Sequence, residues 1–143
     1  MKACYLDANV LIAFKNEESP FHSRSISLLE NLLEKGYFLV VSPLVLDEFL
    51  YVVAYFLKIK KEKDLYKKLN KSLKDILQIA KVVNPPTSRR GQLRVVELME
   101  KYNLHPRDAF HLLVILFAKI EACATFDKDF VEVEKEKLVK IFN

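Results

Sequence analysis

The chain has 143 residues, 51% hydrophobic and 29% charged, with a formal charge of +4 and an isoelectric point near 9.0. This fits one domain over residues 1–143 with a proper core, and it excludes a disordered or low-complexity chain. The longest apolar run, Phe49 to Leu57, is too short to span a bilayer, and Asp7 interrupts the only early apolar stretch, so no membrane anchor or secretory leader is expected. A cytoplasmic protein with a polyanionic partner is the expectation.

In chain order, Ala3 to Leu6 is a short apolar run predicted as a buried strand, and it stops at Asp7. A short helix from Val10 to Lys15 follows. Ser19-Pro20 pairs a capping residue with proline at the first helical position. Ile26, Leu28, Leu29, Leu32 and Leu33 form the apolar stripe of that helix, and Gly36 supplies a left-handed termination. Tyr37 to Val41 is the second predicted strand. Ser42-Pro43 repeats the capping signal and opens a helix over 43–59. From Glu62 to Ala80, Leu65, Leu69, Leu73, Ile76 and Leu77 keep helical spacing. Lys81 to Asn84 is a third short strand, stopped by Pro85-Pro86. Thr87 or Ser88 caps a helix that runs to Tyr102, and Pro106 opens another to Ile120. Ala122 to Phe126 is a fourth strand ending at Asp127, and Leu138 to Phe142 a fifth. Continuous apolar strands alternating with helices imply an α/β protein: a three-layer α/β/α sandwich around a parallel sheet of about five strands.

With only two glycines, Gly36 and Gly91, no phosphate-binding glycine loop or dinucleotide-binding turn can be drawn. No G-x-S-x-G elbow exists, and His22, His105 and His111 lack zinc-site spacing. His111 reads as a packed core histidine. Cys4 and Cys123 sit in apolar runs and read as small buried hydrophobes. The lysines between Lys58 and Lys81 read as a solvated helix face. Arg89, Arg90 and Arg94 form a second basic group.

Carboxylate chemistry remains. Asp7 and Asp127 each follow a strand, so in a parallel sheet both lie at the carboxyl edge, where open α/β sheets bind ligands. Asp108 stands in the first turn after Pro106, and Glu48 lies about 9 Å along its helix from Ser42. The helical neighbours of Glu48 are Leu44, Val45, Tyr51 and Val52, and Asp47 adjoins it. A carboxylate on such a face costs several kcal/mol unless compensated. Neither its helix nor the strand ends supply an arginine, whereas Mg²⁺ or Mn²⁺ would compensate it with oxygen ligation. Each acid also has a local reading: Asp7 as a helix cap, Asp108 as a dipole partner, Asp127 and Asp129 as turn formers. Four such roles converging on one edge is what favours a shared site.

Four segments carry a resemblance: Leu6-Asp7-Ala8-Asn9-Val10-Leu11-Ile12, Ser42-Pro43-Leu44-Val45-Leu46-Asp47-Glu48-Phe49, Leu104-His105-Pro106-Arg107-Asp108-Ala109-Phe110-His111-Leu112 and Ala124-Thr125-Phe126-Asp127-Lys128-Asp129-Phe130. In order and spacing the chain resembles the PIN-domain family, and within it the VapC-type toxins of toxin–antitoxin pairs. The resemblance implies a Mg²⁺- or Mn²⁺-dependent ribonuclease acting through a metal-activated water. It implies Asp7, Glu48, Asp108 and Asp127 as catalytic metal ligands, with Asp7 and Asp108 holding the principal ion. Asn9 is implied as the small polar residue near the metal, Thr125 as the hydroxyl close to the last acid, and Asp129 as an extra or substitute ligand. Arg89, Arg90, Arg107 and Lys128 are candidates for guiding RNA phosphates, with Arg107 alternatively pairing with an acid. A small antitoxin and a homodimer are the implied partners, the latter through Tyr51, Tyr55 and Phe56. Two other readings stay open. One is a PIN domain in RNA processing or in non-catalytic RNA or protein binding. The other, a phosphatase or receiver built on Asp7, lacks the second aspartate and the lysine it needs.

Overall fold

In the computed structural model, which describes residues 2–143, β1 (Ala3–Leu6) leads through Asp7 directly into α1 (Ala8–Lys15), two residues before the expected start. The Ser19-Pro20 pair forms a turn, with Ser19 Oγ accepting from the Phe21 amide at 3.2 Å, and α2 (His22–Glu34) begins just after it. Gly36 reverses the chain at φ +76°, a conformation that strains any residue with a Cβ. β2 (Phe38–Val41) starts one residue after the expected Tyr37, and α3 (Pro43–Ile59) matches expectation, with Ser42 Oγ accepting from the Val45 amide at 3.4 Å.

α4 (Leu65–Ile79) is shorter than the expected 62–80 because Lys61 turns left-handed at φ +53° and the Glu62 amide closes on Leu57 O at 3.0 Å. β3 (Ala80–Val82) follows at once, one residue earlier than expected. Of the two capping candidates, Ser88 caps α5 (Arg89–Tyr102): its Oγ accepts from the Gly91 amide at 3.1 Å. A Cβ on Gly91 would meet Pro86 Cβ at 2.9 Å and Ser88 Oγ at 3.1 Å. Gly91→Ala should therefore push apart this cap and cost about 1–3 kcal/mol, readable as a lower urea midpoint at unchanged slope.

α6 (Pro106–Phe117) stops short of the expected Ile120 because Lys119 turns left-handed at φ +54°. β4 (Ala122–Ala124) ends before Phe126, α7 (Val131–Lys135) has no counterpart among the expected elements, and β5 covers Lys140–Phe142. Five residues are too few to establish a helical period, which is why α7 leaves no pattern.

The sheet has five strands in the order β3-β2-β1-β4-β5, and every neighbouring pair is parallel. Tyr5 stands opposite Val40 on one side and Cys123 on the other. Right-handed crossovers place α1 to α4 on one face and α5 to α7 on the other. The packing agrees: α1 meets α2 and α3, α3 meets α4, and α5 meets α6. This is the expected α/β/α sandwich. Cys4, Tyr5 and Leu6 are fully buried between Leu11, Leu32, Val45, Phe49 and Ile76 and, from α6, Leu112 and Ile115. Cys4 and Cys123 are free and buried. Burial pushes the Cys4 thiol up to about 12 and that of Cys123 well above its ordinary value, so both behave as small packed hydrophobes. Strand order reverses between β1 and β4, which opens a crevice at their carboxyl ends.

Candidate functional site

That crevice is lined by Asp7, Asn9, Asp47, Glu48, Tyr51, Arg107, Asp108, His111 and Asp127, around a cavity of about 530 Å³. The four expected acids thus share one cleft, although they come from the end of β1, from α3, from the first turn of α6 and from the segment after β4. Asp127 does not follow its strand directly: β4 ends at Ala124, and Thr125 and Phe126 intervene.

Asp7 occupies the residue before α1 but makes no side-chain capping bond, so the local reading of it as a cap fails. Its Oδ2 accepts from Thr125 Oγ1 at 2.6 Å and from Asn9 Nδ2 at 2.8 Å. Thr125 Oγ1 in turn accepts from Asn9 Nδ2 at 3.2 Å and from the Asp127 amide at 3.0 Å. Asn9 Oδ1 accepts from the Phe126 amide at 3.2 Å. Asn9 and Thr125 therefore tie the end of β1 to the chain leaving β4 and orient the Asp7 carboxylate. Burial, with the nearby Glu48 charge adding to it, holds the Asp7 carboxyl above the ordinary aspartate value against the opposing effect of Thr125 and His111.

Glu48 has protein partners after all, a hydrogen-bonding imidazole and one cation. His111 Nε2 lies 2.9 Å and Arg107 Nε 3.4 Å from its Oε1, both brought from α6 on the opposite face. The helix of Glu48 and the strand ends indeed supply no arginine, but α6 does: Arg107 pairs with an acid, one of the two roles open to it. His111 is buried as expected, packed edge-on to Tyr5 at 5.7 Å between ring centroids, but it is also a polar member of the cleft. Its Nδ1 lies 2.7 Å from the Tyr5 hydroxyl, which lies 2.6 Å from Ser42 Oγ. One assignment uses every proton: the Val45 amide donates to Ser42, Ser42 to Tyr5, Tyr5 to His111 Nδ1, and His111 Nε2–H to Glu48. The sequence signal for His111 was its position one turn after Asp108, which aims both side chains at the same edge.

Among the described residues, Asp7, Glu48 and His111 form the one group whose candidate ligand atoms all lie within 4.8 Å of one another. Asp108 and Asp127 line the same cleft outside that tight group. Burial, then Asp127 and Asp129, keep the Asp108 carboxyl above its ordinary value. Asp127 also keeps its turn role, its Oδ1 accepting from the Asp129 amide at 3.0 Å. Asp129 lines an adjoining hollow with Asp108 and Asp127. Lys128 lines another, beside Asn9 and Asp127. Arg89 and Arg90 open α5 and do not line the cleft. Lys60, Lys68 and Lys71 pair with surface acids, as a solvated helix face would.

Comparison with known proteins supplies an independent line. A family model described as PIN domain matches residues 4–136. Ribonuclease VapC6 of Methanocaldococcus jannaschii is 23% identical over 151 residues, covering 95% of each chain. Among solved structures, Mycobacterium tuberculosis VapC20, described as a sarcin-ricin loop cleaving toxin, superposes with a TM-score of 0.65 at 14% identity over 91% of this chain and 94% of that one. VapBC2 from Rickettsia felis, bound to a DNA fragment from their promoter, superposes with a TM-score of 0.64 at 16% identity over 99% and 98%. At such identities the solved structures speak for the fold alone.

Proposed function

Because this chain belongs to the PIN domain family, we propose that it is a divalent-metal-dependent ribonuclease, acting as one domain over residues 1–143, and the toxin of a VapBC-type pair. The observation that carries this reading is the convergence of Asp7, Glu48, Asp108 and Asp127 on one cleft at the sheet crevice.

The donor set suits Mg²⁺ or Mn²⁺. It is carboxylate oxygen, the ligand type hard divalent cations take, with one imidazole close by. Asp7 and Asp108 both hold protons more tightly than ordinary aspartates, first because burial disfavours their charged forms and then because other acids stand close, and a cation would offset both effects. Both side-chain donors to Asp7 fall on Oδ2, so Asn9 and Thr125 fix its direction without spending its other oxygen on a side chain. Asp7, Glu48, Asp108 and Asp127 would hold the metal, with Asp129 in reserve. When bound, such a cation supplies an acidified water and offsets charge on the phosphate, worth several kcal/mol. His111 and Arg107 keep Glu48 in place, and Lys128 at the rim attracts the RNA backbone.

The test is cleavage of single-stranded RNA by the purified protein. Cutting that needs Mg²⁺ or Mn²⁺ and stops in EDTA supports the reading; equal cutting in EDTA refutes it. A second expectation needs no substrate. Mn²⁺ at about 100 times its dissociation constant should stabilise the fold by about 2.7 kcal/mol, seen as a higher melting temperature. Because Asp7 and Asp108 bind protons at higher pH than ordinary aspartates, that response should weaken on acidification before the usual carboxylate range is reached.

A small antitoxin protein and a second copy of the chain complete the proposed partners. Tyr51 is 75% and Tyr55 57% exposed on α3, the apolar surface a dimer would cover. No helix among the described residues is long and apolar enough to cross a membrane, and we place the protein in the cytoplasm.

A further inference from the structure

Beside the metal cleft lies a feature that metal chemistry does not use. Phe21, just before α2, stacks on Phe126, with ring centroids 5.2 Å apart and planes inclined by 25°. The Arg24 guanidinium sits 5.3 Å from the Phe126 ring centroid. Phe126 packs against the core, but Phe21 stands outside it and is 43% exposed. The hollow here, about 550 Å³, is lined by Asn9, Ile12, Phe21, Phe126, Asp127 and Lys128 among others. Asn9, Ile12 and Asp127 line the metal cleft too, so the two spaces adjoin.

We propose that the Phe21–Phe126 stack is a platform for one nucleobase of single-stranded RNA, next to the phosphate at the metal cleft. This rests on the ribonuclease reading and adds a base-binding subsite to it. A lone exposed phenylalanine is ordinary on a protein surface. This ring, however, is part of a flat aromatic stack flanked by two cations, Arg24 and Lys128, at the mouth of an acidic cleft. A planar base with an anionic backbone matches that combination. The platform is also indexed to the metal ligands, since Asn9 accepts from the Phe126 amide at 3.2 Å and donates to Asp7 at 2.8 Å. A base stacked there would therefore sit at a fixed offset from the reacting phosphate. A base paired in a duplex cannot present its face in this way, so the substrate must be unpaired at that nucleotide.

The test uses the Asp7→Asn protein, which does not consume its ligand, and short single-stranded oligoribonucleotides carrying 2-aminopurine at successive positions. Stacking on an aromatic ring quenches this base. Quenching is expected at one position, with loss of quenching and about 5- to 100-fold weaker binding in Asp7→Asn/Phe21→Ala, and recovery in Asp7→Asn/Phe21→Tyr. Equal quenching and affinity with alanine at position 21 would overturn the proposal, as would absence of RNA binding by the parent. Cleavage of unmodified RNA by the wild-type protein is scored separately. Cleavage with no quenching at any position defeats the platform alone, whereas no cleavage with quenching defeats only the ribonuclease reading.

Discussion

Asp7→Asn is expected to lower metal-dependent RNA cleavage by about 1,000-fold while making the metal-free protein more stable. The first effect follows from removing the carboxylate that shares the tightest ligand group with Glu48 and His111. Losing most of the several kcal/mol a cation contributes corresponds to about three powers of ten in rate. The second follows from the proton balance. The Asp7 carboxyl is held above its ordinary value of 3.8, chiefly by burial. Its contribution to stability is therefore complete below the unfolded value and is lost as pH rises through the raised folded one. At neutral pH the ionised group opposes folding, and asparagine removes that opposition. The amide oxygen can still accept from Asn9 and Thr125, so the local hydrogen bonds survive. Thermal melting in EDTA at neutral pH should give the higher midpoint for Asp7→Asn, and added Mn²⁺ should narrow or reverse the gap by stabilising only the wild type. A variant that melts lower in EDTA, or cleaves RNA normally, would show that Asp7 is a structural carboxylate.

His111→Ala is expected to cost about 2–4 kcal/mol of stability and to weaken metal binding about 10- to 100-fold. The stability loss combines a cavity beside Tyr5 with the removal of the donor that Glu48 relies on. The metal effect comes from Glu48, which would keep only the longer, exposed contact from Arg107 at 3.4 Å. Tyr5→Phe separates the two contributions. It keeps the ring packing but removes the hydroxyl 2.7 Å from Nδ1, so that nitrogen loses its donor while Glu48 still holds Nε2–H. The Nδ1 chemical shift of His111 in the metal-free protein should then move while the Nε2–H signature stays, with little loss of packing. Unchanged shifts in Tyr5→Phe would rule out the proton chain as assigned.

The features legible in the sequence are those encoded locally. Apolar runs marked the strands, and Ser42-Pro43 marked α3 almost to the residue. The acids were legible because a parallel sheet sends its strand ends and helix starts to one edge, so Asp7, Glu48 and Asp108 could be placed without coordinates. What escaped was decided at a distance or by single-residue conformations. Lys61 and Lys119 end their elements by turning left-handed, a choice lysine does not advertise. The partner of Glu48 lies 63 residues away on the other face of the sheet, and Tyr5 meets His111 across 106 residues. No periodicity within one element records such a pairing. The apolar neighbours of His111 mark it as core, but they do not reveal that burial and polarity coexist there.

The seating of β4 against β1 has a bearing on how the protein is made. Asp7 leaves the ribosome early, but the Thr125 hydroxyl that orients it comes 118 residues later. Until that late strand slots in beside the first, there is no crevice and no ordered carboxylate cluster. On the ribonuclease reading proposed above, a growing chain in which β4 has yet to form is therefore harmless to the messenger and ribosomal RNA around it, and any cutting power waits for β4 to pair with β1.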